Sequence, residues 1–121
     1  MSAGLAIGVG LIGGVGALAR FLLDGSVASA VGRAFPFGTL AVNVSGSFVL
    51  GIFAGAVLSA DASELLGTGL IGAFTTFSTW TFESHRLAED GRLRLSALNF
   101  TVSLLLGVLA AWAGRGLGGA L

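Results

Sequence analysis

Long apolar runs alternate with short polar stretches along this chain. The runs cover about residues 3–23, 38–60, 65–82 and 95–113. Each has roughly the 20 residues that a helix needs to cross hydrocarbon. Asp24, Gly25, Ser26 and Arg33 mark the first connection, where Pro36, the only proline, suits a helix start. Asp61 and Glu64 mark the second connection, and a charged segment from Glu83 to Arg94 marks the third. The pattern predicts an all-α membrane protein: a single domain, residues 1–121, of four transmembrane helices.

The polar residues inside the runs are ordered. Asn43, Ser47, Gly51 and Gly55 stand four apart in the second run, so they share one helical face. An amide in hydrocarbon is costly unless paired, so Asn43 faces either another helix or a water-filled path. Ser96, Asn99, Ser103, Gly107 and Ala111 form a second such stripe in the fourth run. It reads equally as glue between helices.

The third run is the most unusual. Thr75, Thr76, Ser78, Thr79 and Thr81 are interleaved with Phe74, Phe77, Trp80 and Phe82. β-branched threonines are mediocre helix formers, and the stretch alone would pass for a strand. A lone strand cannot cross lipid, because its backbone would go unsatisfied. The expected resolution is a helix broken near Thr75 and Thr76, with freed carbonyls buried in protein or holding a cation. The competing reading is a continuous helix with hydroxyls bonded back to carbonyls.

Composition sharpens this. Only 10% of residues are charged, against 55% hydrophobic, whereas a soluble domain carries about 25% charge. Glycine accounts for 21 residues. Gly4 and Gly8, Gly10 and Gly14, Gly51 and Gly55, and Gly114 and Gly118 are spaced by four, which lets helix backbones approach closely in lipid. Net charge is zero and lysine is absent, so the chain carries no basic patch suited to several phosphates and no nucleic acid is expected as a partner. No cysteine is present, so disulfide and thiol chemistry are excluded. The start of the chain lacks the charged region of a signal peptide, and the first run is expected to be a retained helix.

Gly8, Gly10 and Gly13 match G-x-G-x-x-G, but the match lies in an apolar span with no preceding strand, and it follows from glycine abundance. His85 has no partner ligands and is expected to be solvated. Arg20 stands four residues before Asp24. The default expectation is a local ion pair at the membrane edge, and the alternative is a charge beside a polar vestibule. No nucleophile–base pair is present, so no enzyme is expected. Arg33, Arg86, Arg92 and Arg94 lie in the first and third connections, which favours those being cytoplasmic.

Three segments together resemble the Fluc (CrcB-type) fluoride channels. They are Gly13 to Arg20 (GGVGALAR), Phe37 to Gly51 (FGTLAVNVSGSFVLG) and Gly72 to Glu83 (GAFTTFSTWTFE). A weaker fourth lies around Ser103 to Gly107. The resemblance implies an antiparallel (inverted) dimer in the bacterial inner or plasma membrane, multi-pass, with the third helix broken mid-membrane. It implies fluoride as the transported ion, exported passively to protect the cell. Fluoride pathways at the interface would use Asn43. Phe77 and Trp80 match the two aromatic positions of the family's phenyl box, which come from opposite subunits. Ser78 and Thr79 match its polar track, Ser103 joins it, and Arg20 lies beside it. A structural Na⁺ would sit at the dimer centre, held by backbone carbonyls at positions matching Gly72 and Thr75.

This chain departs from the family pattern in having Trp80 where Phe is usual. Indole is larger and adds an N–H donor, which would reshape the box, attract anions more strongly or block it. Trp80 and the arginine asymmetry together raise a heterodimer with an inverted paralogue beside the homodimer. Two other functions fit a four-helix chain: a small multidrug or cation exporter, which needs a membrane-embedded carboxylate, and a non-transporting scaffold, which leaves 75–80 unexplained.

Overall fold

The computed structural model describes every residue from Met1 to Leu121. The chain is all-helical. Helix α1 is Ala3–Val31, α2 is Phe37–Ala56, α4 is Phe77–Glu89 and α5 is Leu93–Gly119. Between α2 and α4 lies α3, residues 60–74, in which a π-helical stretch, Ser63–Ile71, is flanked by the α turns Ala60–Ala62 and Gly72–Phe74. Helices α1, α2 and α5 are each long and apolar enough to cross a membrane. Helices α3 and α4 form a fourth, bent helix.

Local chemistry sets the ends. Ser2 caps α1, its hydroxyl accepting the Leu5 N–H at 3.1 Å. The helix outruns its apolar run, continuing through Asp24 and Ser26 to Gly32, whose φ of 82° ends it. Pro36 stands just before the first residue of α2 and accepts the Leu40 N–H at 3.1 Å. Helix α2 stops at Val57, in left-handed conformation at φ 54°. That is unusual for a β-branched residue. Ser59 then caps α3 through the Ala62 N–H at 3.2 Å.

In α3 the bonding widens, with the Gly72 N–H reaching back five residues to the Gly67 carbonyl. The helix breaks where the threonines stand. Thr75 has ψ 159° and Thr76 has φ −144° and ψ 122°, both extended. Thr76 restarts the helix as a cap, its hydroxyl accepting the Thr79 N–H at 3.2 Å.

Glycines bring α2 and α5 into backbone contact. A Cβ at Gly51 would strike the Ala111 carbonyl, one at Gly55 the Arg115 carbonyl, one at Gly114 the Phe48 carbonyl and one at Gly118 the Ile52 carbonyl. Helix α1 approaches α3 in the same way, with Gly16 against the Leu70 carbonyl. The four-residue spacing thus marks close packing at these positions, whereas Gly4, Gly10 and Gly14 meet nothing within 4 Å.

Few large side chains are enclosed: Val42, Ile71, Trp80 and Leu87 are the buried hydrophobic residues. Ile7, Leu11, Val15, Leu18 and Phe21 stand exposed along α1. A continuous apolar exterior of this kind is unfavourable in water and suits hydrocarbon. The protein is a multi-pass membrane protein.

Candidate functional site: a neutral groove at the helix break

Asn43 sits at the centre of the site. Its Nδ2 donates to the Thr76 carbonyl and its Oδ1 accepts the Thr76 N–H, both at 2.8 Å. One side-chain amide thereby replaces the backbone partners that Thr76 loses at the break. An amide has two N–H groups, so one Asn43 donor remains beyond this clamp. Sequence spacing placed Asn43 on a polar face but could not show that its partner is the backbone of α3 and α4.

Beside the clamp runs a groove of roughly 400 Å³. Asn43, Ser47, Thr76, Phe77, Trp80 and Ser103 line it, with aliphatic residues of α5 opposite and no charged residue among the lining. The structure thus gathers Asn43, Phe77, Trp80 and Ser103 into one place. It adds Ser47, whose position on the Asn43 stripe was the signal for it. Ser78 and Thr79 lie on the first turn of α4, outside the groove lining. There the Thr76 hydroxyl donates to Thr79 Oγ1 at 3.0 Å and lies 3.5 Å from Ser78 Oγ.

Three aromatic rings pack in series, one contact edge to face and the other stacked. Phe77 meets Trp80 with centroids 5.3 Å apart and planes at 81°. Trp80 stacks on Phe100 at 4.9 Å. The two differ in exposure: Phe77 is 71% exposed and Trp80 is 8% exposed. The Trp80 indole N–H donates to the Asn99 carbonyl at 3.2 Å. That donor is spent inside the protein, so Trp80 does not offer the groove the extra N–H that its indole suggested.

A buried polar network continues from Trp80 into α5. Asn99 Nδ2 donates to Ser84 Oγ at 2.8 Å, Ser84 Oγ donates to the Trp80 carbonyl at 2.9 Å, and Ser96 Oγ donates to the Ser84 carbonyl at 2.6 Å. The polar stripe on α5 therefore serves in part as glue between helices, and Ser103 brings it to the groove.

Arg20 does not pair with Asp24. Its Nε donates to the Ala73 carbonyl at 3.2 Å, where the last turn of α3 leaves carbonyls without helical partners. Asp24 instead faces Arg33 at 3.9 Å. Arg20 lies outside the groove lining and ties α1 to the break from the other side.

At the break, the Thr75 carbonyl accepts no hydrogen bond, and the Gly72 carbonyl loses the Thr76 amide, which Asn43 holds instead. Neutral oxygens freed in this way suit a hard cation. His85 pairs with Glu89 on the exposed face of α4.

A second polar cavity, of about 350 Å³, lies by the charged connections and is lined by Asp24, Arg33, Glu83, Arg86, Asp90 and Arg92. Glu83 follows directly on the third apolar run. Burial raises its pKa above the usual 4.5, the Thr39 hydroxyl lowers it, Asp24 raises it further, and Arg33 and Arg86 lower it. Its Oε1 is buried with no hydrogen-bond partner.

The chain is similar to known proteins over most of its length. The family described as "CrcB-like protein, Camphor Resistance (CrcB)" matches residues 7–115. A protein of Mycobacterium tuberculosis named "Fluoride-specific ion channel FluC 2" is 51% identical over 109 residues, covering 90% of this chain and 86% of the relative. "Fluoride-specific ion channel FluC" of Geobacter sulfurreducens is 43% identical over 113 residues, covering 89% and 91%. "Fluoride-specific ion channel FluC 1" of Symbiobacterium thermophilum is 43% identical over 116 residues, covering 91% and 94%.

Proposed function

Because the chain belongs to the CrcB family, we propose that it is a passive, fluoride-selective channel that lets the ion leave the cell and so protects against fluoride toxicity. It is not an enzyme. The observation that carries the reading is the groove beside the Asn43–Thr76 clamp, lined by neutral donors and aromatic edges and by no charge.

Fluoride is small and strongly hydrated, so a pore has to replace its water with donors. The free amide proton of Asn43 and the hydroxyls of Ser47 and Ser103 supply them without fixed charge. The ring edge of Phe77 carries partial positive charge and can face an anion. Neutral donors hold the ion weakly enough for it to leave again. An exporter exchanging protons for cations needs a carboxylate in the path, and none lines this groove.

Helices α3 and α4 make the fourth crossing in this reading, broken within the membrane at Thr75 and Thr76. The chain assembles as an antiparallel dimer, with itself or with an inverted paralogue, in the bacterial inner or plasma membrane. Ser78 and Thr79 extend the ion's track along α4. Gly72 and Thr75 would hold a structural Na⁺ through their backbone carbonyls. Such a cation would supply positive charge at the dimer centre and fix the break.

Expression in a fluoride-sensitive bacterium tests the function. The expected result is restored growth in fluoride. Correct membrane insertion with no rescue, even beside an inverted paralogue, would contradict the proposal.

A further inference from the structure

Serines and threonines in helices often return their proton to the carbonyl four residues back. Ser26, Ser45, Thr75, Thr81 and Ser84 do so here at 2.6–3.2 Å. Ser103, at the groove, does not. Its acceptor would be the Asn99 carbonyl, which takes the Trp80 indole N–H at 3.2 Å. A carbonyl oxygen has two lone pairs. The regular amide bonding of α5 uses one and the indole uses the other.

What remains for the Ser103 proton is Asn99 Oδ1 at 3.5 Å, well beyond the 2.5–3.0 Å of a good O–H···O bond. Asn99 is held there by its own bond to Ser84 Oγ at 2.8 Å. Trp80, Ser84, Asn99 and Ser103 are all buried, with Asn99 only 1% exposed. The network therefore leaves one under-committed hydroxyl, and it stands in the groove wall.

We infer that the Trp80 indole N–H is a positioning group for Ser103. By occupying the Asn99 carbonyl it withholds the ordinary acceptor and leaves the Ser103 hydroxyl available to a compact, strongly hydrated anion. This deepens the channel reading and rests on it. A hydroxyl locked in a short back-bond has to break that bond before it can serve an ion, and the Ser103 hydroxyl does not. A phenyl ring at position 80 has no N–H and would hand the carbonyl back to Ser103. Trp80 thus acts through its nitrogen as well as through its ring.

The test replaces Trp80 with 3-benzothienylalanine, which keeps the ring's shape and its stacking on Phe100 but puts sulfur in place of N–H. Fluoride efflux from liposomes is measured for the unmodified chain, the Trp80 analogue, Ser103→Ala and the combination. The analogue is expected to lose about tenfold in flux, Ser103→Ala a similar amount, and the combination no more than Ser103→Ala alone. Additive losses, or full flux in the analogue, would overturn the inference. Hydroxyl-proton NMR of Ser103 gives a readout that needs no transport. A shift toward the strongly bonded region in the analogue supports the inference even if the unmodified chain passes no fluoride, an outcome that would sink the channel reading alone. An unchanged hydroxyl signal would overturn the inference.

Discussion

Two cavities of similar size are built from opposite chemistry. One, near the connections, crowds Asp24, Arg33, Glu83, Arg86, Asp90 and Arg92 around about 350 Å³. The other, at the helix break, is an open groove of about 400 Å³ lined by amide, hydroxyl, aromatic and aliphatic groups and by no charge. Helix α4 links them, since Trp80 faces the groove and Glu83, three residues on, faces the charged cavity. Charges near water are screened and partly solvated. A charge deep in the bundle would bind a counter-ion tightly or exclude it. The acidic and basic side chains of the first cavity stay out of the groove, whose lining is neutral, as the proposed passage of a weakly held anion requires.

Moving charge into the groove should have the largest effect. Asn43→Asp places a carboxylate there and removes the donor that clamps the Thr76 carbonyl. Efflux should fall by about a hundredfold or more, and undiminished flux would remove Asn43 from the path. Phe77→Ile keeps bulk but loses the ring edge. Flux should drop about tenfold with assembly intact by size exclusion, and full flux would reduce Phe77 to a packing residue.

Smaller effects are expected at the charged cavity. Because burial raises the Glu83 pKa above 4.5, the stability this group contributes is fully present below about that pH. It is lost as pH rises through the raised value. The unmodified chain should therefore gain thermal stability on acidification from neutral pH toward 4.5, and Glu83→Gln should flatten that gain. The difference at neutral pH should stay below about 1 kcal/mol, since water screens much of the site. An unchanged pH slope in Glu83→Gln would assign the gain to other groups. Arg33→Ala should matter least, because its 3.9 Å contact with Asp24 is exposed. Less than about 0.5 kcal/mol is expected in the same melts, and a larger loss would mean that charge at this cavity is structural.

The sequence made some of this legible and hid the rest for a physical reason. The break was readable because five hydroxyl residues between Thr75 and Thr81 are poor helix material and cannot form a lone strand in lipid. The stripe from Asn43 to Gly55 was readable because helical spacing fixes a face. Partners were not readable. Nothing local tells that Asn43 clamps Thr76, that Arg20 reaches the Ala73 carbonyl and not Asp24, or that the Trp80 N–H is used by Asn99. Each pair joins segments from different helices, and only packing decides which donor meets which acceptor. The π-helical bonding of Ser63–Ile71 and the run of α1 on to Val31 likewise have no signature in hydropathy.

The proposed channel passes fluoride selectively through a groove without charge. Liposomes reconstituted with this chain, loaded with fluoride or chloride and read with ion-selective electrodes, test it most directly. Fast fluoride efflux with chloride retained is the expected result. Equal release of the two anions, or retention of both by well-folded protein even when an inverted paralogue is supplied, would contradict it.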